Sequence, residues 1–427
     1  MLNIPTIGKK RIVIIGGGFA GLKLANKLRN SNFQIVFIDK NNYHQFQPLF
    51  YQVATSGIEP SAILFPFRKI FNSYKDLHLR ITEVLEILPE QKRIRTISGT
   101  CFYDYLIIAT GATTSFFGLE NVEKIAHPMK SVVEAISLRN CILENMEKAL
   151  LIDKPEDQVP YMNIVVVGGG PTGTEVAGAL AEMRKHIFPK EYKELDITRI
   201  RIVLIEASSS LVKGMSSGSS SKSMEYLLKL GVEVRIGIRV IDYFHSTVIL
   251  SDGEKIPSNT VIWAAGIKGN KIPGLPDFVW NSFDRIKVDE FNAVIGLSDV
   301  FALGDICLME SKEYPLGHPQ VAQVAIQQAD CLAGNLLRKD KNNKLKSFQY
   351  KNLGSMATIG RHLAVVDLPF IKLKGIIAWY IWMFIHLMAI LGVRNKLVVF
   401  INWIWSYFTF DQSLRLIIHR KTNKNAL

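Results

Sequence analysis

The feature that most constrains this 427-residue chain is a glycine-rich turn that occurs twice, each time between a β-branched run and a helical pattern. The first copy follows RIVII and consists of Gly16, Gly18, Phe19, Ala20 and Gly21. In such a turn the first glycine permits the bend, the second lets the backbone approach a pyrophosphate, and the third lets helix and strand pack closely. The free N–H groups at the start of the helix favour an anion. The repeated turn predicts an α/β protein with two Rossmann-like dinucleotide-binding domains.

Each turn is followed by a second strand that ends in an acidic residue. FQIVFID ends at Asp39, where a carboxylate is placed to accept a hydrogen bond from a ribose hydroxyl. In the second copy, Gly168, Gly170 and Gly173 are followed by IRIVLIE, which ends at Glu206. An acid there competes with a 2′-phosphate, and no arginine follows in EASSS. The second site is therefore expected to favour NADH over NADPH.

Other sequence segments indicate where the helices and strands begin and end. The stretch between the second turn and its acid is longer than usual, so we expect the intervening helix to continue through residues 183–193. A strand in YDYLIIATG runs into Thr110 and Gly111. The run LSDVFALGDI places Asp305 after a buried strand and before a glutamine-rich helix, where the plain alternative for its carboxylate is a helix N-cap.

The C-terminal part of the chain is both basic and apolar. Residues 331–427 contain 15 lysines and arginines against 3 acids, so they carry almost all of the formal charge of +13. They also contain two apolar runs, residues 375–393 and 397–410, with four of the six tryptophans. Basic residues bracket these runs: Lys372, Lys374, Arg394, Lys396, Arg415, Arg420 and Lys421.

This combination predicts helices that lie on an anionic membrane surface. The first run is long enough that spanning the bilayer stays open, and a buried core or dimer hairpin is the other alternative. Nucleic acid is disfavoured as a partner because apolar runs offer nothing to phosphates. The four cysteines show no CxxC spacing, so neither a metal site nor a redox disulfide is expected.

Three segments carry a resemblance to a known family. The GD aspartate and the two glycine turns resemble flavoprotein reductases with two dinucleotide-binding domains. NNYHQFQPLFYQVATSGIEP, AQVAIQQA and LGVRNKLVVFINWIWSYFTFD are similar to the type II NADH:quinone oxidoreductases, the single-subunit alternative NADH dehydrogenases of respiratory membranes. The resemblance covers essentially the whole chain.

The resemblance implies a domain plan and a reaction. Residues 1–120 and 281–360 would bind FAD, residues 121–280 would form an inserted NADH domain, and residues 361–427 would attach to the membrane. In this family the GD aspartate, here Asp305, holds the ribityl chain of FAD. Two electrons would pass from NADH through FAD to a membrane quinone, without proton pumping.

The resemblance also implies roles for five polar residues. Gln323 and Gln327 would line the quinone site, with Tyr51 and Gln52 as part of the same wall. The alternative for both helical glutamines is that they satisfy neighbouring backbone groups. Glu175 would lie between flavin and nicotinamide, to stabilise their charge-transfer pair or to relay a proton. The alternative is that its negative charge only interacts favourably with the helix dipole.

The expected location follows from the same resemblance. The N-terminus shows no signal peptide or transit peptide, which favours the cytoplasmic face of a bacterial inner membrane, with a homodimer as a further expectation from the family. Two other functions stay open from the residues alone: a soluble NADH-dependent reductase of ferredoxin or rubredoxin, and a flavin-binding redox sensor with a docking tail.

Overall fold

A computed structural model of the protein describes residues 1–409 and 415–418. Arg420 and Lys421, two of the basic residues named above, lie outside the described residues. The chain forms two compact units, each assembled from three segments. Unit 1 consists of residues 1–45, 64–113 and 267–352. Unit 2 consists of residues 46–63, 114–266 and the described residues from 353 onward.

Unit 1 is built on a five-stranded parallel sheet. In spatial order its strands are Val300–Ala302, Tyr105–Ile108, Arg11–Ile15, Gln34–Asp39 and Leu77–Ile81. Smaller strands are Val84–Leu88, Arg93–Thr96 and Gly99–Phe102 in one antiparallel sheet, Tyr43–Gln45 with Leu64–Pro66, and Ile286–Lys287 with Cys307–Leu308. The helices are Phe19–Lys27, Phe67–Ile70 and Ala322–Asp340, which we call the glutamine helix.

Unit 2 repeats the same plan around its own five-stranded parallel sheet. In spatial order its strands are His127–Pro128, Thr260–Trp263, Ile164–Val167, Ile202–Glu206 and Glu233–Ile236. Two antiparallel sheets follow: Val240–Phe244, Thr247–Leu250 and Lys255–Pro257, then Ser355–Gly360, Leu363–Asp367 and Lys372–Lys374. The helices are Phe50–Ala54, Glu120–Ile125, Val132–Leu150, Pro155–Met162, Pro171–His186, Phe188–Glu191, Ser217–Lys229, Gly375–Ala389 and Val393–Thr409.

The inner strands of both sheets are largely apolar because a parallel sheet is covered on both faces. Ile12, Val13 and Ile14 are fully buried, as are Val165 and Val166 in the second sheet. The expectation of two Rossmann-like sheets is therefore confirmed.

The helix after the second glycine turn, Pro171–His186, is shorter than the sequence analysis predicted. It ends at His186, and a separate turn, Phe188–Glu191, begins just before Pro189. A proline lacks the N–H that would bond to the carbonyl four residues earlier, and its ring clashes with that carbonyl, so it kinks or ends a helix. The expectation of one helix through residues 183–193 was wrong for this reason. We call Pro171–His186 the glutamate helix, since it carries Glu175.

The C-terminal apolar runs form two helices, Gly375–Ala389 and Val393–Thr409, which we call the C-terminal helices. Lys396 donates a hydrogen bond to the Met388 carbonyl at 2.8 Å and so satisfies one of the free carbonyls at the end of the first helix. Burial lowers the pKa of His386 to about 4, so this side chain is neutral at pH 7. Within residues 1–409 and 415–418, no helix has both the length and the apolar character to cross a bilayer.

Candidate active site

The first glycine turn uses its three glycines for three different reasons. Gly16 has a φ of +102°, and a Cβ on it would meet the carbonyl of Ala109. A Cβ on Gly21 would collide with the Gly16 carbonyl. Gly18, in contrast, has no atom within 4 Å of its Cβ position, and no side chain caps the helix Phe19–Lys27 that begins there. Open space therefore faces the backbone at this helix start.

The second glycine turn has the same geometry in unit 2. Gly168 has a φ of +107°, and a Cβ on Gly173 would collide with the Gly168 carbonyl. Gly170 has no atom within 4 Å of its Cβ position, and the glutamate helix also begins without a side-chain cap. Each turn thus leaves one uncrowded backbone surface of the kind that an anionic phosphate group fits.

The acids that end the second strands are held by the glycine turns themselves. Asp39 accepts hydrogen bonds from the N–H groups of Gly17, at 2.6 Å, and Asn41, at 2.7 Å. Glu206 accepts hydrogen bonds from the N–H groups of Gly169 and Ser208. Burial raises the pKa of Asp39, whereas these two hydrogen bonds act to lower it. Each carboxylate oxygen has a second lone pair, so both acids keep acceptor sites that fit a ribose hydroxyl.

The Thr110–Gly111 corner is fixed by a residue that the sequence analysis missed. The Thr110 hydroxyl donates to the carbonyl of Asn270 at 3.0 Å, and the Asn270 N–H donates to the Gly111 carbonyl at 3.0 Å. Gly111 has a φ of +71° and open space at its Cβ position. Asn270 directly follows the segment NTVIWAAGIKG, so its place in the chain was the available signal.

Asp305 lies in a short 3-10 turn, Gly304–Ile306, that the glutamine helix holds in place. The Gly304 N–H donates to the side-chain oxygen of Gln328 at 2.8 Å, and Gln320 donates to the Asp305 carbonyl at 2.8 Å. The N-cap residue of the glutamine helix is Val321, so the alternative of Asp305 as its N-cap was wrong. Gln320 and Gln328 belong to this support, which sequence reasoning did not identify.

Of the two glutamines singled out from the sequence, Gln327 bonds to the backbone of a residue 24 positions later. The Gln327 amide donates to the Lys351 carbonyl at 2.8 Å and accepts from the Lys351 N–H at 2.9 Å. Both ends of this amide are therefore used by backbone groups, as the alternative reading described. Gln323 lies one turn earlier on the same helix face and is partly exposed.

Glu175 lines a cavity within unit 2. The cavity has a volume of about 130 Å³ and is lined by Tyr51, Gln52, Glu182, Trp382 and Trp403, among others. We call it the Glu175 cavity. Glu175 is only 9 % exposed, and burial raises the pKa of its carboxyl to about 8. The Thr358 N–H and the Trp382 indole act in the opposite direction and lower this pKa. This carboxyl can therefore both hold and release a proton near neutral pH.

A hydrogen-bonded chain forms one wall of the Glu175 cavity. The Trp403 indole N–H donates to the Gln52 oxygen at 2.8 Å, and the Gln52 amide donates to the Tyr51 hydroxyl at 2.7 Å. Burial raises the pKa of Tyr51 well above its ordinary value, so this phenol stays protonated. The wall therefore joins a C-terminal helix to the short helix Phe50–Ala54.

Two buried histidines, His44 and His318, have structural surroundings. A ring nitrogen of His44 lies 2.9 Å from the Gly17 carbonyl, and the ring packs edge-on against Phe19. His318 is buried among Tyr314, Phe348 and Tyr350. Burial lowers the pKa of both rings.

Comparison with known proteins identifies the family. The pyridine nucleotide-disulphide oxidoreductase family matches residues 10–329, and the NDH2 C-terminal domain matches residues 352–409. The type II NADH:quinone oxidoreductase Ndh of Mycobacterium tuberculosis is 32% identical over 410 residues, covering 92% of this chain and 87% of that protein. The internal alternative NAD(P)H-ubiquinone oxidoreductase A1 of Arabidopsis thaliana is 28% identical, covering 96% and 86%.

Solved structures show the same fold. NDH2 from Plasmodium falciparum in complex with NADH superposes with a TM-score of 0.88 at 23% identity, over 96% of this chain and 100% of that one. The sulfide:quinone oxidoreductase of Aquifex aeolicus gives a TM-score of 0.71 at 19% identity, over 96% of each chain. Taken with the sequence matches to residues 10–329 and 352–409, this chain belongs to the type II NADH:quinone oxidoreductase family.

Proposed function

We propose that this chain passes two electrons from NADH through a bound FAD to a membrane quinone, and that it pumps no protons. The observation that carries the proposal is the pair of open glycine turns, one in each unit, together with a buried proton-holding glutamate on the helix that leaves the second turn. Two dinucleotides need two such turns, and a reaction that consumes a proton needs a group like Glu175.

We assign FAD to unit 1. Open space at Gly18 and the uncapped helix start fit a pyrophosphate, and the spare lone pairs of Asp39 fit a ribose. When bound, the flavin supplies the hydride acceptor and the electron donor to quinone. The residues that would hold it are Gly16, Gly18, Phe19, Ala20, Gly21, Asp39, Thr110, Gly111 and Asp305.

We assign NADH to unit 2, at Gly168, Gly170, Gly173 and Glu206. The Glu206 carboxylate stands where a 2′-phosphate would repel it, which supports NADH as the substrate. Glu175 follows on the same helix. Its burial-raised pKa supports a proton-relaying role beside the reacting rings.

We propose that Gln323 donates a hydrogen bond to a quinone carbonyl. An amide does this without placing a formal charge in an apolar pocket. Because Lys351 occupies both ends of the Gln327 amide, we assign Gln327 to orienting this part of the helix, beside the quinone rather than bonded to it.

We propose that the C-terminal helices rest on the anionic cytoplasmic surface of a bacterial inner membrane. Their outer residues are large, apolar and exposed: Ile376, Ile377, Tyr380, Phe384, Met388, Leu397, Phe400, Ile401, Ile404, Trp405 and Phe408. A contiguous apolar surface of this kind needs a lipid or protein partner. A homodimer through the same surface is the alternative partner.

The reaction is tested by absorbance spectroscopy. The purified protein is expected to show an oxidised flavin spectrum, to bleach on anaerobic addition of NADH, and to recover its colour on addition of a quinone. A protein without flavin would refute the proposal. Bleaching by NADH with reoxidation by ferredoxin or rubredoxin, and none by quinone, would support a soluble reductase instead.

The membrane contact is tested by co-sedimentation with anionic vesicles. Phe400→Glu should reduce binding, because it places a charge on a C-terminal helix face that is 44% exposed in the isolated chain. Phe278→Glu is the matched control, since Phe278 is 58% exposed and lies in unit 1. Equal binding of both variants would contradict the assignment of this face.

A further inference from the structure

The glutamate helix carries a second acid on the face that holds Glu175. Glu182 follows seven residues later, which is two helical turns or about 10 Å along the axis. Both carboxylates line the Glu175 cavity, and so does His186, one further turn along. Exposure increases in this direction: Glu175 is buried, whereas Glu182 and His186 are partly exposed. The three side chains thus run from the interior toward the surface.

Glu182 is surrounded by protein on most sides although part of its surface is open to the cavity. Its carboxylate accepts a hydrogen bond from the N–H of Arg361. Burial raises the pKa of Glu182, while Arg361 and Lys185 act in the opposite direction. A partly open carboxyl with its pKa shifted upward is suited to take a proton from water and give it up again.

The proposed function requires a proton at a buried place in each turnover. Reduction of a quinone to a quinol takes two electrons and two protons, and the hydride of NADH carries two electrons and one proton. The second proton must come from water. Glu175 is 9 % exposed, so it needs a route by which it is reprotonated.

We propose that Glu182 is the outer station of a two-carboxylate relay, which takes a proton from solvent and passes it through water in the Glu175 cavity to Glu175. This inference rests on the proposed function. The cavity volume of about 130 Å³ has room for several water molecules between polar partners. In each step one O–H bond forms as another breaks, and no electrons are transferred.

The charged and titratable groups around the relay come from four parts of unit 2. Tyr51 faces it from the helix Phe50–Ala54, and Arg361 from the turn between the strands Ser355–Gly360 and Leu363–Asp367. Tyr407 faces it from a C-terminal helix, and Lys185 and His186 from the glutamate helix itself. Arg361 and Lys185 favour the ionised form of Glu182 and so promote release of its proton into the cavity.

The test uses a variant that keeps the structural bond and removes the titrating group. Glutamine at this position still accepts from the Arg361 N–H, so Glu182→Gln preserves that contact, whereas Glu182→Ala loses it. A relay predicts that both variants slow quinone turnover by about tenfold or more at alkaline pH, with flavin reduction by NADH unchanged. Glu194→Gln, an exposed acid of the same unit, is the control and should match the unsubstituted protein.

A second measurement reads the route without turnover. In the oxidised protein placed in D₂O, the infrared C=O band of the Glu175 carboxyl reports exchange of its proton for deuterium. Glu182→Gln should slow this exchange, and Glu194→Gln should not.

The outcomes separate the relay from the reaction. If Glu182→Gln keeps normal turnover, pH profile and exchange while Glu182→Ala is impaired, Glu182 is only a structural acceptor and the relay is wrong. If the unsubstituted protein neither bleaches with NADH nor reduces quinone, the proposed function itself fails.

Discussion

The raised pKa of Glu175 makes a prediction about stability as well as chemistry. The carboxyl titrates at about 8 in the folded protein, against an ordinary value of 4.5. Between these values the folded chain binds a proton that the unfolded chain has already released. The contribution of Glu175 to the free energy of unfolding is therefore fully present below the pKa of the unfolded state and is lost as pH rises through the pKa of the folded state.

The size of this loss follows from the shift. One pH unit of pKa difference corresponds to about 1.4 kcal/mol, so the full shift amounts to an upper limit of about 5 kcal/mol between acid and alkaline solution. Glu175→Gln replaces the carboxyl by a neutral amide of the same shape. The variant should match the unsubstituted protein near about pH 4 and exceed its stability by several kcal/mol near about pH 9.

Urea unfolding followed by tryptophan fluorescence measures this difference. Midpoints for both proteins are collected across the pH range, and only the part that differs between them is assigned to Glu175. The result that refutes the reasoning is a difference in free energy of unfolding that does not change with pH, because a group ionised throughout contributes no such slope.

Further substitutions test the binding residues separately. Gly18→Ala should lower flavin content, and Gly170→Ala should raise the KM for NADH about tenfold or more. The stability of both variants should be unchanged or slightly higher, since both positions have φ near −70°. Normal affinities for flavin and NADH would contradict the assignment of the two turns. Glu206→Gln should relax the preference for NADH over NADPH, because a neutral amide no longer repels a 2′-phosphate. Unchanged discrimination in steady-state kinetics would count against this role. Gln323→Leu should slow flavin reoxidation by quinone without slowing flavin reduction, as measured by stopped flow; equal slowing of both half-reactions would contradict this role. Gln327→Leu should destabilise the fold by about 0.5–1.5 kcal/mol, because its amide bonds to an exposed backbone segment.

Local spacing was sufficient for the parts of the site that lie within one strand, turn and helix. The turn at Gly16, the close packing at Gly21 and the open side of Gly18 follow from the order of the residues, because backbone sterics decide them locally. The two parallel sheets were predictable for the same reason, since their inner strands are largely apolar runs.

Contacts between distant segments could not be predicted in this way. The partner of Gln327 is Lys351, 24 positions later, and Trp403 bonds to Gln52 across 351 positions. No local pattern selects such pairs, because tertiary packing brings them together. Glu182 was a different omission: its seven-residue spacing from Glu175 was visible, but a glutamate on a helix is usually a solvated surface residue.

The aromatic lining of the Glu175 cavity has a practical consequence. Three of the six tryptophans, Trp379, Trp382 and Trp403, surround this one space, and Trp382 is only 2% exposed. Indole emission depends strongly on the polarity of its surroundings and on nearby quenchers. The protein thus contains an intrinsic fluorescence probe. A molecule that enters the cavity, or water that leaves it, changes the fluorescence of half of the tryptophans without any attached dye.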